Sequence, residues 1–298
     1  MSRKDEEAVS WLFRLYGHGG VVIEEFPGVE EGDSSFEGRT VVIKTYLSVN
    51  GRWIQRLKSL EDGLHRLVIF GPLSPLRTQH IEEEEWAAGW KEYFPLHRVG
   101  SHLVVKPSWR EYSPLPEDVV IHLDPGMAFG TGLHPTTRMC LEELEIWLRP
   151  GDSVLDLGTG SGILAIAAAQ LGAAKVLALD IDSLAVRVAR ENVARNQVES
   201  TVSVVRGSLG TSRGRVSRDA LKFDLVVANL DSTTISRLLG PITRAADKEG
   251  RLILGGISQD GLEAVMAAAS SYGIHMLRVV EDGPWRTLVA RFGTTTQG

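Results

Sequence analysis

The chain has 298 residues, enough for two domains with buried cores. Apolar residues make up 43% and charged residues 23%, the balance of a globular chain rather than a disordered or fibrous one. A formal charge of -6 disfavours a dedicated nucleic-acid binder, which would present a basic face. The single cysteine, Cys140, excludes an intramolecular disulfide and a cysteine metal cluster, so no metal site is expected, and a reducing cytoplasm is the expected compartment. The N-terminus lacks the apolar core of a signal peptide, and the most apolar stretch, 163–169, is too short to cross a bilayer, so no membrane association is expected.

In chain order, Ala8, Trp11, Leu12 and Leu15 recur at helical spacing, and Val21-Val22-Ile23 predicts a short strand closed by Pro27-Gly28. Residues 28–38 are acidic and turn-rich and read as a loop. A strand over 40–47, a helix over 53–64 and a strand over 67–70 follow. Short strands alternating with two helices predict a small α+β, ferredoxin-like domain over residues 1–70. Prolines at 72, 75, 95, 107, 114 and 116 exclude a long regular element, so 71–114 reads as a linker with some structure of its own. Within it, Glu82 to Glu85 suits a solvated first helical turn ahead of Trp86, Trp90 and Tyr93, which read as packing aromatics.

The span 115–298 reads as one α/β domain. Strands are predicted at 153–157, 175–180, 202–205, 225–229, 251–255, 275–281 and 287–292, with helices at 162–171, 183–196, 232–246 and 261–272. Continuous apolar runs such as Leu225-Val226-Val227-Ala228 are expected of a mainly parallel sheet covered on both faces. The last two strands are joined by a short Asp282-Gly283-Pro284 turn, which predicts an antiparallel pair.

Two segments carry chemistry. In Val154-Leu155-Asp156-Leu157-Gly158-Thr159-Gly160-Ser161-Gly162 a strand runs into a glycine turn that opens a helix, letting backbone approach a bound nucleotide. Asp180 ends the next strand, where an acid can accept both ribose hydroxyls of an adenosine. A dinucleotide fingerprint would require glycine where Ile163 stands, and neither a phosphate-binding G-x-x-x-x-G-K-[ST] loop nor a G-x-S-x-G nucleophile elbow is present. The spacing G-x-G-x-G after Asp156 instead resembles motif I of Rossmann-like methyltransferases, whose final strand is likewise antiparallel. The second segment runs from His122-Leu123-Asp124-Pro125-Gly126 through Phe129-Gly130-Thr131-Gly132 to His134-Pro135-Thr136-Thr137. Its glycines and prolines specify an unusual backbone. Phe129 is suited to stack on a base or close over a ligand, and Thr136 and Thr137 to donate to a carboxylate.

This second segment closely resembles the D-P-G-x-A-F-G-T-G-x-H-P-T-T signature of the ribosomal protein methyltransferases that modify protein eleven of the large subunit. The resemblance extends through Glu85-Trp86, Trp90-Lys91, Val105 to Trp109, Asp180-Ile181-Asp182, Val227-Ala228-Asn229 and Gly255-Gly256-Ile257. It implies a Rossmann-like class I methyltransferase domain with a seven-stranded sheet, S-adenosyl-L-methionine as cofactor, and methylation of lysine and N-terminal amines of that ribosomal protein. It implies cofactor contacts at Thr137, Gly158, Asp180 and Asn229, to which Gly160, Phe129 and Thr136 are added from their places in the two motifs. Asn229 is the expected substrate-positioning residue, and the N-terminal domain the expected recognition element; a monomer is the default. No general base stands out: His134, followed by proline inside the glycine-rich segment, reads as structural, and solvent is the expected proton acceptor.

The sequence departs from the family in two places. Residues 1–5 leave little room for the strand with which relatives begin, and Leu230-Asp231-Ser232 replaces an aliphatic pair after Asn229. Asp231 suits a helix cap better than a lysine-holding acid. The competing classes are an NAD-dependent oxidoreductase, disfavoured by Ile163, a non-catalytic ribosome-associated module, and a methyltransferase of the same make acting on another protein or a small amine.

Overall fold

The computed structural model describes residues 9–10, 12–13, 16, 18–27, 39–47, 53–67, 75–80, 95–124, 130, 132–210 and 222–292. The chain divides into two compact units, Met1–Trp86 and Ala87–Gly298.

In the first unit, β1 (His18–Pro27) pairs antiparallel with β2 (Arg39–Tyr46), and α1 spans Trp53–Arg66. Val9, Leu12 and Phe13, on helical residues near the N-terminus, are buried together with Leu60 of α1. The sequence therefore places helix, strand, strand and helix correctly, although β1 is longer than the three residues expected. Of the strand expected over 67–70, only Leu67 falls within the described residues, and it forms a bend.

The second unit is built on a seven-stranded sheet with the order β11-β12-β10-β9-β6-β7-β8. Its strands are β6 (Ser153–Leu157), β7 (Lys175–Asp180), β8 (Val202–Arg206), β9 (Phe223–Asn229), β10 (Ala246–Ser258), β11 (Ile274–Asp282) and β12 (Trp285–Phe292). The pairs from β8 to β10 are parallel, while β12 runs antiparallel to both β10 and β11. The helices are α2 (Pro135–Trp147), α3 (Ile163–Gln170), α4 (Ser183–Arg195), α5 (Ser232–Ala245) and α6 (Leu262–Ser271).

Alternation along the strands sends side chains into two separate cores. Val154, Val176, Leu225 and Ile253 pack with α2, α3 and α4 on one face. Leu155, Leu157, Val226, Leu252 and Leu254 pack with α5 and α6 on the other. Because both faces are covered, the strands are apolar on both sides, which is why continuous runs identify them in the sequence.

The segment expected as a linker differs from that expectation. It holds β3 (His97–Val99) and β4 (Leu103–Lys106), which form a small sheet with β5 (Val119–His122); β3–β4 is antiparallel and β4–β5 parallel. Val99, Leu103 and Val105 are buried in the core shared with α2, α3 and α4. The unit thus begins well before residue 115, the expected domain start. The prolines at 107, 114 and 116 bound short strands rather than preventing them.

Candidate active site

Strand order locates the site. The chain leaves β6 toward β7 on one side of the sheet, while β9 pairs with the other side of β6. Open α/β sheets form a crevice at such a reversal, beyond the carboxyl ends of the strands. Leu157 of β6 lies opposite Ala228 of β9, so the residues that follow, Gly158 and Asn229, stand side by side at the carboxyl edge of the sheet. A cleft opens there, lined by Gly130, Thr137, Gly158, Thr159, Ile163, Leu164 and Asn229.

The glycine turn is fastened at several points. The amides of Gly158 and Thr159 both donate to the Leu179 carbonyl, at 2.8 and 3.0 Å. Gly158 has φ 79°, a left-handed conformation that favours glycine, and a Cβ there would also displace the Leu230 side chain. Beneath the turn, the buried Asp156 carboxylate accepts from Thr159 Oγ1 at 2.6 Å and from the Ala165 amide at 3.1 Å, joining strand, turn and helix. Burial pushes the Asp156 carboxyl up to about 7, against the lowering effect of those hydrogen bonds. Asp180 closes β7, where its carboxylate accepts from the Gly160 amide at 3.0 Å and the Asp182 amide at 2.9 Å.

On the opposite wall, Asn229 Nδ2 donates to Thr137 Oγ1 at 3.2 Å. Thr137 sits in the first turn of α2, whose N-cap is His134 and whose first residue is Pro135. The His134 Nδ1 accepts from the Thr136 amide at 3.3 Å and lies 2.8 Å from Thr136 Oγ1, and the ring meets Trp285 edge-on at 5.1 Å. Asp231 caps α5, accepting from the Thr234 amide at 2.9 Å and Thr234 Oγ1 at 2.6 Å, as the capping reading expects.

Of the expected site residues, Thr137, Gly158 and Asn229 line the cleft, while Gly160 and Asp180 are bonded to one another beside it. Thr136 differs: its hydroxyl meets His134, and it is not among the lining residues. Phe129 lies outside the described residues. The sequence reading did not select Gly130, Thr159, Ile163 or Leu164 as lining residues. Ile163 entered only as a missing glycine, yet the first residues of a helix that opens at a strand end face the crevice by geometry, which was the available signal. None of the described lining residues carries a titratable side chain.

The profile of the ribosomal protein L11 methyltransferase (PrmA) family matches residues 1–293. The chain belongs to this family. It is 43% identical to the ribosomal protein L11 methyltransferase of Chloroflexus aurantiacus over 96% of this chain and 94% of that one. It is 41% identical to the enzyme of that name from Desulfitobacterium hafniense over 98% and 96%. The crystal structure of a ribosomal protein L11 methylase from Lactobacillus delbrueckii subsp. bulgaricus matches with a TM-score of 0.58 at 31% identity, covering 67% of this chain and 99% of that one. This PrmA-family chain is therefore an S-adenosyl-L-methionine-dependent methyltransferase, and the NAD-dependent and non-catalytic readings fall away.

Proposed function

We propose that the chain transfers methyl groups from S-adenosyl-L-methionine to lysine and N-terminal amines of ribosomal protein L11. The family match over 1–293 carries this reading, because it spans both units rather than the cofactor fold alone. The cleft suits the cofactor: the Gly158 turn leaves no Cβ in the way, Ile163 and Leu164 offer an apolar wall, and Asp180 offers carboxylate oxygens at the end of β7. The cofactor supplies an electrophilic methyl group on a sulfonium.

The chain's own part is positioning. Thr137 fixes the Asn229 amide by accepting from Nδ2, which leaves Oδ1 as the acceptor for an incoming amine N–H. A lysine amine has a pKa of about 10.4 in water and must lose its proton before attack. The described lining residues offer no base, and the His134 Nδ1 is committed at the start of α2; in this reading the proton leaves to solvent. His134→Ala then lowers activity only as far as it loosens α2; a loss on the order of a thousandfold with cofactor binding intact would make His134 the base.

The first unit serves as the recognition domain in this reading, and the active form is a cytoplasmic monomer. No helix among the described residues is long and apolar enough to cross a membrane. The test is transfer of labelled methyl to purified L11, with total ribosomal proteins in parallel and the modified amines mapped by mass spectrometry. Label confined to L11 amines is the expected result. Label on a different protein would keep the chemistry and overturn the acceptor.

A further inference from the structure

Helix α4 carries two buried asparagines outside the glycine turn and the signature segment. Asn192 is 3% exposed and Asn196, the C-cap, 8%. Asn196 grips the backbone of His122, at the start of the signature segment, from both sides: its Oδ1 accepts from the His122 amide at 2.8 Å, and its Nδ2 donates to the His122 carbonyl at 2.7 Å. The same Nδ2 reaches the Asn192 carbonyl at 2.8 Å. Asn192 Nδ2 donates to the carbonyl of Ser161, inside the glycine turn, at 2.9 Å. The Ser161 hydroxyl then donates to the carbonyl of Gly130, further along the signature segment, at 2.5 Å. Nearby, Arg195 pairs with Asp124 at 2.8 Å. Gly162 presses α4 against the turn, since a Cβ there would stand 3.2 Å from Ala189 Cβ and 3.3 Å from its Cα.

These bonds form one path from His122 through Asn196, Asn192 and Ser161 to Gly130. They fasten two points of the signature segment to the glycine turn, and the cleft is walled by residues of both, Gly130 and Thr137 on one side and Gly158 and Thr159 on the other. Buried amides with matched partners hold a single geometry, because the alternatives leave polar groups unpaired. We propose that Asn192, Asn196 and Ser161 are positioning residues that set the width of the cofactor cleft by tying His122 and Gly130 to the glycine turn, without touching the cofactor. This rests on the cleft being the cofactor site, which binding of S-adenosylhomocysteine to the unaltered chain tests by itself.

The experiment is calorimetric titration of Asn192→Ala and Ser161→Ala with S-adenosylhomocysteine, with Leu239→Ala as a control. Leu239 packs in the α5 and α6 core on the other face of the sheet. Both path variants are expected to bind roughly tenfold more weakly, the equivalent of about 1.4 kcal/mol, while the control loses thermal stability and keeps its Kd. Should the path variants resist folding, hydrogen exchange on the unaltered chain answers instead: saturating S-adenosylhomocysteine is expected to slow exchange of the His122 amide several-fold. Unchanged affinity in folded path variants, an equal loss in the control, or His122 exchange indifferent to the ligand would each overturn the proposal.

Discussion

The two faces of the seven-stranded sheet are equally buried but differently made. On the α5 and α6 side the core is aliphatic but for Phe223, from Ile235, Leu239 and Ile242 to Val265 and Ala269, and neither helix carries a buried polar residue. On the other side Thr136, Thr137 and Glu143 of α2, Asp156 of β6, Thr159 and Ser161 of the turn, and Asn192 of α4 are all buried. An aliphatic core stabilises by volume and tolerates adjustment, whereas a buried polar network requires each partner in place. The first face holds the sheet together; the second spends some of that stability on geometry at the carboxyl edge.

The largest effect that would sharpen this contrast is on stability. Leu239→Ala is expected to cost about 2–5 kcal/mol in denaturant unfolding while leaving the cofactor Kd unchanged. Sensitivity to pH belongs to the polar face. The Asp156 carboxyl, raised to about 7 by burial, stays protonated in the folded chain over a range where the unfolded chain, with a value of about 3.9, has released its proton. Its stabilising contribution is complete below about pH 4 and is lost as the pH rises through about 7. Asp156→Asn, which cannot ionise, should therefore flatten the fall of Tm between about pH 4 and about pH 7; parallel pH profiles for both proteins would contradict this.

At the cleft itself, Asn229→Ala is expected to lower kcat/KM toward L11 by about 30-fold, roughly 2 kcal/mol, with most of the loss in kcat. An effect confined to KM would shift Asn229 from positioning the amine to binding alone. The smallest effect concerns Asp231. Removing the cap with Asp231→Ala should cost about 1 kcal/mol of stability with little change in turnover. A large rise in KM for L11 in that variant would restore the lysine-holding role that its hydrogen bonds to Thr234 argue against.

The same contrast explains what could be read from the sequence. Strands β6, β7 and β9 were legible because both of their faces are apolar, and the Gly158 turn because its glycines answer to backbone conformation rather than to distant contacts. The small sheet was not: β3 has three residues and β4 four, and β4 reaches β5 across the turns that Pro107, Pro114 and Pro116 suggest. Thr136 reads by type as a donor to a ligand carboxylate, whereas its contact with His134 follows from how α2 starts, which residue type alone does not show. The helix over 183–196 is legible, but the partners of Asn192 and Asn196 are not, because nothing local shows that His122 and Ser161 return to meet them. Elements made by local pattern were visible, and contacts made by long-range return were not.

The central claim, that the carboxyl edge of β6, β7 and β9 on the α2–α4 face holds the cofactor, is tested most directly by a crystal structure of the complex with S-adenosylhomocysteine. Density is expected beside Gly158, with the ribose on the Asp180 carboxylate and the sulfur within reach of Asn229 and Thr137. Density anywhere on the α5 and α6 face, or a ligand that leaves Asp180 and Asn229 without contact, would contradict it.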